Sequence, residues 1–453
     1  MSTDAISEHY ADHMEDHLYS YKGLVKIPCL GMGDDLATIT RCGLDTTLAV
    51  TYVNTQSNIK KLAFGEEKCV SIHVGKGENI CGEKYIDTWK VNMDNINMES
   101  IIVDLEDIEG DAAAIKKVLS SKYVGDILSS DAKNILNIQD RCNRGAVAVI
   151  QICDMLDNMF LGCYYYEAAA VLRASLLLST LLSNSEAWVN LSTPDVEKLE
   201  RIDEQFLRKT FCSPVSTPKV LLYTEAGATP IRFILMSRRL NFLWYILHED
   251  EHSLIRRFFD AMASNPIKGD WATSVKDDIK QLNLDITIDD VYTMPRHVFK
   301  RLVKDKVRQA AYEYLQEIKT SKSKAKDLSY VSLSPQGYLS SKCKIPIEEK
   351  QFIFNVRSRM LDLKSNYKTG KGDLSCRACN SDYEETQRHL FQCPALSDSS
   401  LVTQNIPEYE DVMGQDTEKI VACAKIIKSK FKLFKMKINQ TSALADATCS
   451  ASD

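Results

Sequence analysis

The chain lacks a secretory start, a membrane-length apolar run and a net positive charge, and each absence excludes a class of protein. Its opening, MSTDAISEHYADH, has no basic start and no apolar stretch, so export is not expected. The most apolar stretch, Met159 to Leu182, is broken by Glu167 and Arg173 and reads as a buried helix pair, not a membrane span. A formal net charge of −6 and a pI near 5.9 do not advertise nucleic-acid binding. The expectation is an intracellular protein of nucleus or cytoplasm with no membrane partner. Its 14 cysteines are then expected as reduced thiols, and the sequons at Asn190 and Asn439 as chance matches.

What is present is a chain of 453 residues, 44% hydrophobic and 26% charged, with material for about two or three domains. Charge is uneven. Residues 1–20 are acidic and carry His9, His13 and His17 at every fourth position, a helical face that either binds a transition metal or is a solvated acidic surface. Residues 296–326 and 419–437 are rich in Lys and Arg. Local patches of this kind matter more than the sum when the partner is a polyanion.

The strongest local pattern is Cys376-Arg-Ala-Cys379, then His389, then Cys393-Pro394. Thiolate and imidazole suit zinc, and four protein ligands fill a tetrahedron, leaving no position for a reacting water. The expectation is structural Zn²⁺ in a small stapled module. Glu384 to Gln387 read as a helix start that sets His389 and Cys393 one turn apart. Free reduced thiols are the other account of the cluster.

Periodicity divides the chain. Residues 1–20 read as a helix. Tyr21–Ile27 and Leu36–Thr40 read as strands around a Leu30–Asp35 turn, residues 45–62 as a helix with Leu48, Tyr52, Ile59 and Leu62 inward, and segments from Lys68, Tyr85 and Lys122 as strands. From residue 131 the pattern is helical: Asp131–Met159, Tyr164–Leu182, Thr193–Phe211 with Thr193 as N-cap and Pro194 at N1, Pro230–His248 and Leu254–Ser264, then 286–320 and 346–368. Residues 321–327 read as an exposed linker, and the tail from Thr441 as disordered. The fold class is α+β: a small mixed β/α region at 21–130, helices at 131–270, a basic helical connector at 271–345, the zinc module at 346–400, and a basic helix with its tail at 401–453.

Gly33-Asp34-Asp35 lies at the expected hairpin tip. Two adjacent carboxylates there can share Mg²⁺ ions with substrate phosphates, the arrangement of two-metal polymerases. Gly-Asp is also ordinary turn chemistry. Gly31-Met-Gly-Asp34-Asp35-Leu, the stretch NTQSNIKKLAFGEEKC from Asn54, Tyr123-Val-Gly125, Asn184-Ser-Glu-Ala-Trp188 and Phe206 to Pro214 follow one another in order, and the CCHC element closes the series. Together they resemble the C-terminal portion of a reverse transcriptase of a non-LTR (LINE-type) retrotransposon: palm remnant, helical thumb and zinc element.

The resemblance implies an RNA-directed DNA polymerase, a nucleotidyltransferase acting with RNA template and DNA primer or target DNA. Asp34 and Asp35 would hold catalytic Mg²⁺, Lys68 would sit near the triphosphate, and Tyr123 and Gly125 would lie at the primer-gripping hairpin. Met32 stands where that family usually has Tyr or Phe. Only about twenty residues precede the hairpin, and none reads as the strand carrying the further palm aspartate. The expectation is a truncated copy, inactive alone, that retains nucleic-acid contacts. Arg296, Lys300, Arg301, Lys304 and Arg308, and then Lys428 and Lys432 among the tail lysines around Phe431 and Phe434, are the candidates. The alternatives are a non-catalytic zinc-containing nucleic-acid-binding protein and a helical protein-interaction module.

Overall fold

The computed structural model describes residues 113–366 except 326, 327 and 329, then 373–396 except 380, and 408–449. Before residue 113 it describes only 20–21, 25–26, 30–32, 35–40, 49, 53, 70–72, 74 and 88–91, and side chains are not described at 113–117 or beyond 440. Within these residues the protein is mainly helical with small sheets. No described helix is long and apolar enough to cross a membrane.

The strands are short. β1 (Ser20–Tyr21) pairs with β2 (Val25–Lys26), so the apolar segment after Tyr21 folds back on itself instead of forming one strand. β3 (Leu30–Met32) pairs antiparallel with β4 (Asp35–Ala37), Met32 opposite Asp35. The expected hairpin is therefore tighter than the sequence suggested: its strands begin within the predicted turn, and Gly33-Asp34 connect them. In a three-stranded sheet, β7 (Ala113–Lys117) runs between β5 (Val70–Ser71) and β6 (Thr88–Val91). Of the expected helix at 45–62, Ala49 and Val53 are helical and buried; Leu48, Tyr52, Ile59 and Leu62 lie outside the described residues, as does the His9, His13 and His17 helix.

The segment read as a strand from Lys122 is a hairpin, β8 (Ser120–Tyr123) and β9 (Asp126–Ser129), closed by Val124 and Gly125. Both turn residues have positive φ, 47° and 88°, as the tightest hairpin turns require. Glycine accepts this freely; for the β-branched Val124 it is a rare conformation that its surroundings must enforce.

Helices follow: α1 (Ile135–Asn158), α2 (Tyr165–Leu172), a π-turn over Arg173–Leu177, and α3 (Leu178–Leu181). α4 is Thr193–Thr210. Its cap is Ser192, whose hydroxyl accepts from the Asp195 N–H at 3.3 Å, one residue before the expected Thr193. α5 (Lys219–Ala226), α6 (Ile231–Leu247), α7 (Leu254–Ser264), α8 (Trp271–Gln281) and α9 (Ile288–Thr293) lead to α10 (Arg296–Ser321). Pro295 separates α9 from α10, so 286–320 is two helices. Phe299, Val303, Val307, Ala311 and Leu315 bury one stripe of α10.

α11 is Ile347–Arg357, shorter than predicted because the chain turns at Arg359, which has φ 56°. α12 is Gln387–Gln392 and α13 is Thr417–Cys449. Two expectations are corrected here. The supposed exposed linker contains Ala325, which is fully buried beside Leu328. The supposed disordered tail continues α13 to Cys449; its alanines favour helix.

The chain forms two compact units. One comprises Met1–Arg141, Asn184–Asp195 and Arg238–Val303; the other Cys142–Ser183, Val196–Ser237 and Lys304–Asp453. In the first, Trp271 packs edge-on to Phe242 and Phe259. In the second, Phe211 stacks on Phe354 at 4.1 Å within one large core that also holds Cys376, Cys393, Ile420 and Phe434.

Candidate metal centre

Cys376, Cys379, His389 and Cys393 converge: one ligand atom from each lies within 4.8 Å of the others. A zinc tetrahedron with Zn–S bonds of about 2.3 Å has edges of about 3.8 Å, so a small contraction closes the four around one ion. The donor set, three thiols and an imidazole, could hold a metal ion and suits zinc.

Local structure explains the convergence. Ser375 and Glu384 form an antiparallel bridge, with Cys376 N–H donating to the Tyr383 carbonyl at 3.0 Å and Glu385 N–H to Leu374 at 2.8 Å. This ribbon reverses the chain between the two cysteines and the histidine. Thr386 caps α12, its hydroxyl accepting from His389 N–H at 3.0 Å, and Cys393 follows the last helical residue. The spacing of His389 and Cys393 is thus as the sequence indicated, but the helix begins later. Glu385 is not part of it. Its buried carboxylate accepts from the Lys364 and Arg377 backbone at 2.9 and 3.1 Å and grips the Arg377 guanidinium at 2.6 Å. Arg377, between the paired cysteines, also lies over the buried Phe434 ring at 5.3 Å. The knuckle is therefore pinned to α13.

The thiols differ electrostatically. Burial pushes Cys393 up to about 12 and raises Cys376. Cys379 is more open; burial raises it too, but hydrogen bonds from Ser381 (2.8 Å) and His389 (3.4 Å) outweigh that and bring it to about 6. One thiolate is ready for a cation, and two must ionise on binding.

The other candidates are placed as follows. Asp34 and Lys68 lie outside the described residues. Asp35 opens β4, and its side chain is not described. Tyr123 and Gly125 stand at the β8–β9 turn, half-buried. This turn is held from two sides. Arg141 donates to the Gly125 carbonyl at 3.0 Å and to Asp126 at 2.7 Å; Asn184 donates to the Val124 carbonyl at 3.3 Å and to Asp126 at 2.8 Å. The segment after Asn184, a 3-10 turn at Ser185–Ala187 followed by an extended Trp188, is itself tied down: Trp271 donates to the Glu186 carbonyl, Arg239 to that of Trp188, and Asn134 to that of Val189.

Arg296, Lys300, Arg301, Lys304 and Arg308 are all exposed on α10. On α13, Lys432 is exposed, while Lys428 pairs with Glu349 at 3.4 Å. Lys435 pairs with Asp362 at 2.5 Å, and Lys430 donates to the Phe391 carbonyl. Phe434 is fully buried and Phe431 half-buried against it. Phe434 is a core residue and cannot stack on a base.

Sequence reasoning missed two buried ion clusters. Arg357 and Glu225, both with no exposed side-chain surface, pair at 2.9 Å; Tyr338 donates to Glu225 at 2.7 Å, and Arg357 reaches Tyr330 and the Val412 and Gly414 carbonyls. Arg173 pairs bidentately with Asp203 at 2.6 and 2.7 Å, and Tyr223 joins at 3.2 Å. The one available signal was a charged residue interrupting apolar helical faces, as at Arg173.

Compared with protein-family models, with curated proteins and with solved structures, the chain matches none.

Proposed function

We propose that this chain is a palm-remnant, thumb and zinc-element portion of a non-LTR retrotransposon reverse transcriptase, and that it holds nucleic acid without polymerising it alone. The carrying observation is the clamped turn at Tyr123–Asp126. Two segments that contributed separately to the resemblance, Tyr123-Val-Gly125 and Asn184–Trp188, are in direct contact through Asn184 and Asp126. A turn kept in a rare backbone conformation by a buried arginine and an asparagine is a rigid presentation surface, the requirement for gripping a strand.

On this reading Zn²⁺ occupies the four-ligand cluster and stabilises the fold, with no part in chemistry. The cationic side of α10 supplies sequence-independent phosphate contacts to RNA template and DNA primer or target DNA. Those contacts equally favour a non-catalytic zinc-containing nucleic-acid-binding protein. Any Mg²⁺ chemistry rests on Asp34 and Asp35.

The deciding experiment has two arms. Fluorescence anisotropy with an RNA–DNA hybrid across a salt series is expected to show binding that weakens steeply with salt. Primer extension on an RNA template with Mg²⁺ or Mn²⁺, beside the Asp34→Ala/Asp35→Ala variant, is expected to show no product from either. Extension abolished in that variant would overturn the inactive reading; absence of binding at low salt would overturn the whole proposal.

A further inference from the structure

The sequence singled out the cations of α10 but not the residue one turn beyond them. Lys304, Arg308 and Tyr312 follow one another at every fourth position, all exposed, in a stripe that flanks the buried Val303, Val307 and Ala311, each one residue further along α10. Four residues of helix rise about 6 Å, the scale of successive phosphates along an extended strand. The stripe ends in an aromatic ring, 40% exposed.

That ring lies on a depression of about 400 Å³ lined by Asp305, Arg308, Gln309 and Tyr312 on α10, and by Val331, Ser332 and Leu333 from the segment that crosses beside it. The volume falls within the range of small-molecule clefts. Its chemistry is divided. Tyr312 and Leu333 offer flat and apolar surface. Arg308 is fixed at its rim by a 2.9 Å hydrogen bond to the Ser334 hydroxyl, and the Tyr312 hydroxyl accepts from Gln316 at 2.9 Å, which orients the ring. Asp305 and Gln309 present polar groups at the edge.

We infer that this depression is a base slot for single-stranded nucleic acid: one unpaired base stacks on Tyr312 while the adjoining phosphates meet Arg308 and Lys304. The inference rests on the nucleic-acid reading above and adds to it the state of the ligand. A paired base has both faces covered and cannot enter, so the slot selects single strands. A ring on which any base can stack gives little sequence preference. A phosphopeptide or a membrane headgroup would use the cations and leave Tyr312 idle.

The test compares the full chain with Tyr312→Ala, Tyr312→Phe and Arg308→Ala, using labelled oligo(U), oligo(dT) and a blunt RNA duplex as probes. Tyr312 is exposed, so all variants are expected to fold. Tyr312→Ala is expected to bind both single strands about tenfold more weakly, with Tyr312→Phe retaining affinity and duplex binding unchanged. Arg308→Ala is expected to flatten the salt dependence by about 0.7 in log–log slope. Equal losses for oligo(U) and oligo(dT) assign the slot to the base; a loss confined to oligo(U) assigns part of it to the ribose. Wild-type affinity for single strands in Tyr312→Ala would overturn the slot while leaving the nucleic-acid reading intact. A parent protein that binds none of the three probes at low salt would overturn both.

Discussion

Replacing Arg357 by Met is expected to be among the most damaging single changes in this protein. The guanidinium and the Glu225 carboxylate have no exposed side-chain surface, so neither can turn to water when the other is removed. Breaking a buried pair of this kind by removing one partner costs about 3–5 kcal/mol. Here the Val412 and Gly414 carbonyls and the Tyr330 hydroxyl also lose a donor, which places Arg357→Met near the top of that range. At about 2–4 °C per kcal/mol for a unit of this size, the midpoint should fall by about 10–20 °C. All four tryptophans (89, 188, 244 and 271) belong to the other unit, so the assay is far-ultraviolet circular dichroism. Glu225→Gln alone should cost about 3 kcal/mol. The double variant removes both charges and should cost at least about 2 kcal/mol less than the two single effects added together. A single Arg357→Met cost below about 1 kcal/mol, or strict additivity, would refute the claim that mutual charge compensation holds these elements together.

Cys376→Ser should lose bound zinc, measured by elemental analysis, and lower the melting point of the large core, because Cys376 and Cys393 belong to that core; a stable variant of unchanged melting point would count against it. Zinc titration at pH 7.5 in buffers of different ionisation enthalpy should release about two thiol protons per ion, since Cys379 near 6 is already ionised while Cys376 and Cys393 are raised; release of three would contradict the assigned environments. Burial lifts Asp278 to about 6 against the pull of Arg239. Its folded value therefore lies above the unfolded one, so wild type should lose stability relative to Asp278→Asn, by up to about 3 kcal/mol, as pH rises from about 4 to 6; parallel pH profiles would refute this. Gly227→Ala should cost at least about 2 kcal/mol in a urea titration, because φ is +64° and a Cβ would meet the Pro335 nitrogen at 2.2 Å; a neutral change would show that the loop yields easily.

What could be read beforehand was whatever sits close along the chain. The convergence of Cys376, Cys379, His389 and Cys393 into a cluster that could hold a metal ion is legible because a knuckle and one helical turn fix their geometry within about twenty residues. The helical character after residue 131 is legible because its apolar spacing repeats. Pairing across long separations was not: Arg357 and Glu225 are 132 positions apart, and Asn184 and Asp126 are 58 apart. Neither residue type advertises its partner. Phe434 shows a different limit. Lysines on both sides gave it the look of a binding aromatic, yet Ile420, Cys423, Ile427 and Phe434 form the buried seam of α13, and only the packing partner decides between the two. Glu385 looked like the start of a helix and instead became the anchor of Arg377, because a hydrogen-bonded ribbon took priority over helical propensity.

The four-ligand cluster is seated inside a large shared core, so a metal ion held there would make the folding of that unit a function of its chemical surroundings. An ion that binds only the folded form adds RT ln(1 + [M]/Kd) to stability, about 1.4 kcal/mol for each tenfold rise in free metal above Kd. Abundance of the protein would therefore track the free-metal level of its compartment. A chelating environment would thin the population by unfolding and proteolysis long before any binding surface had changed.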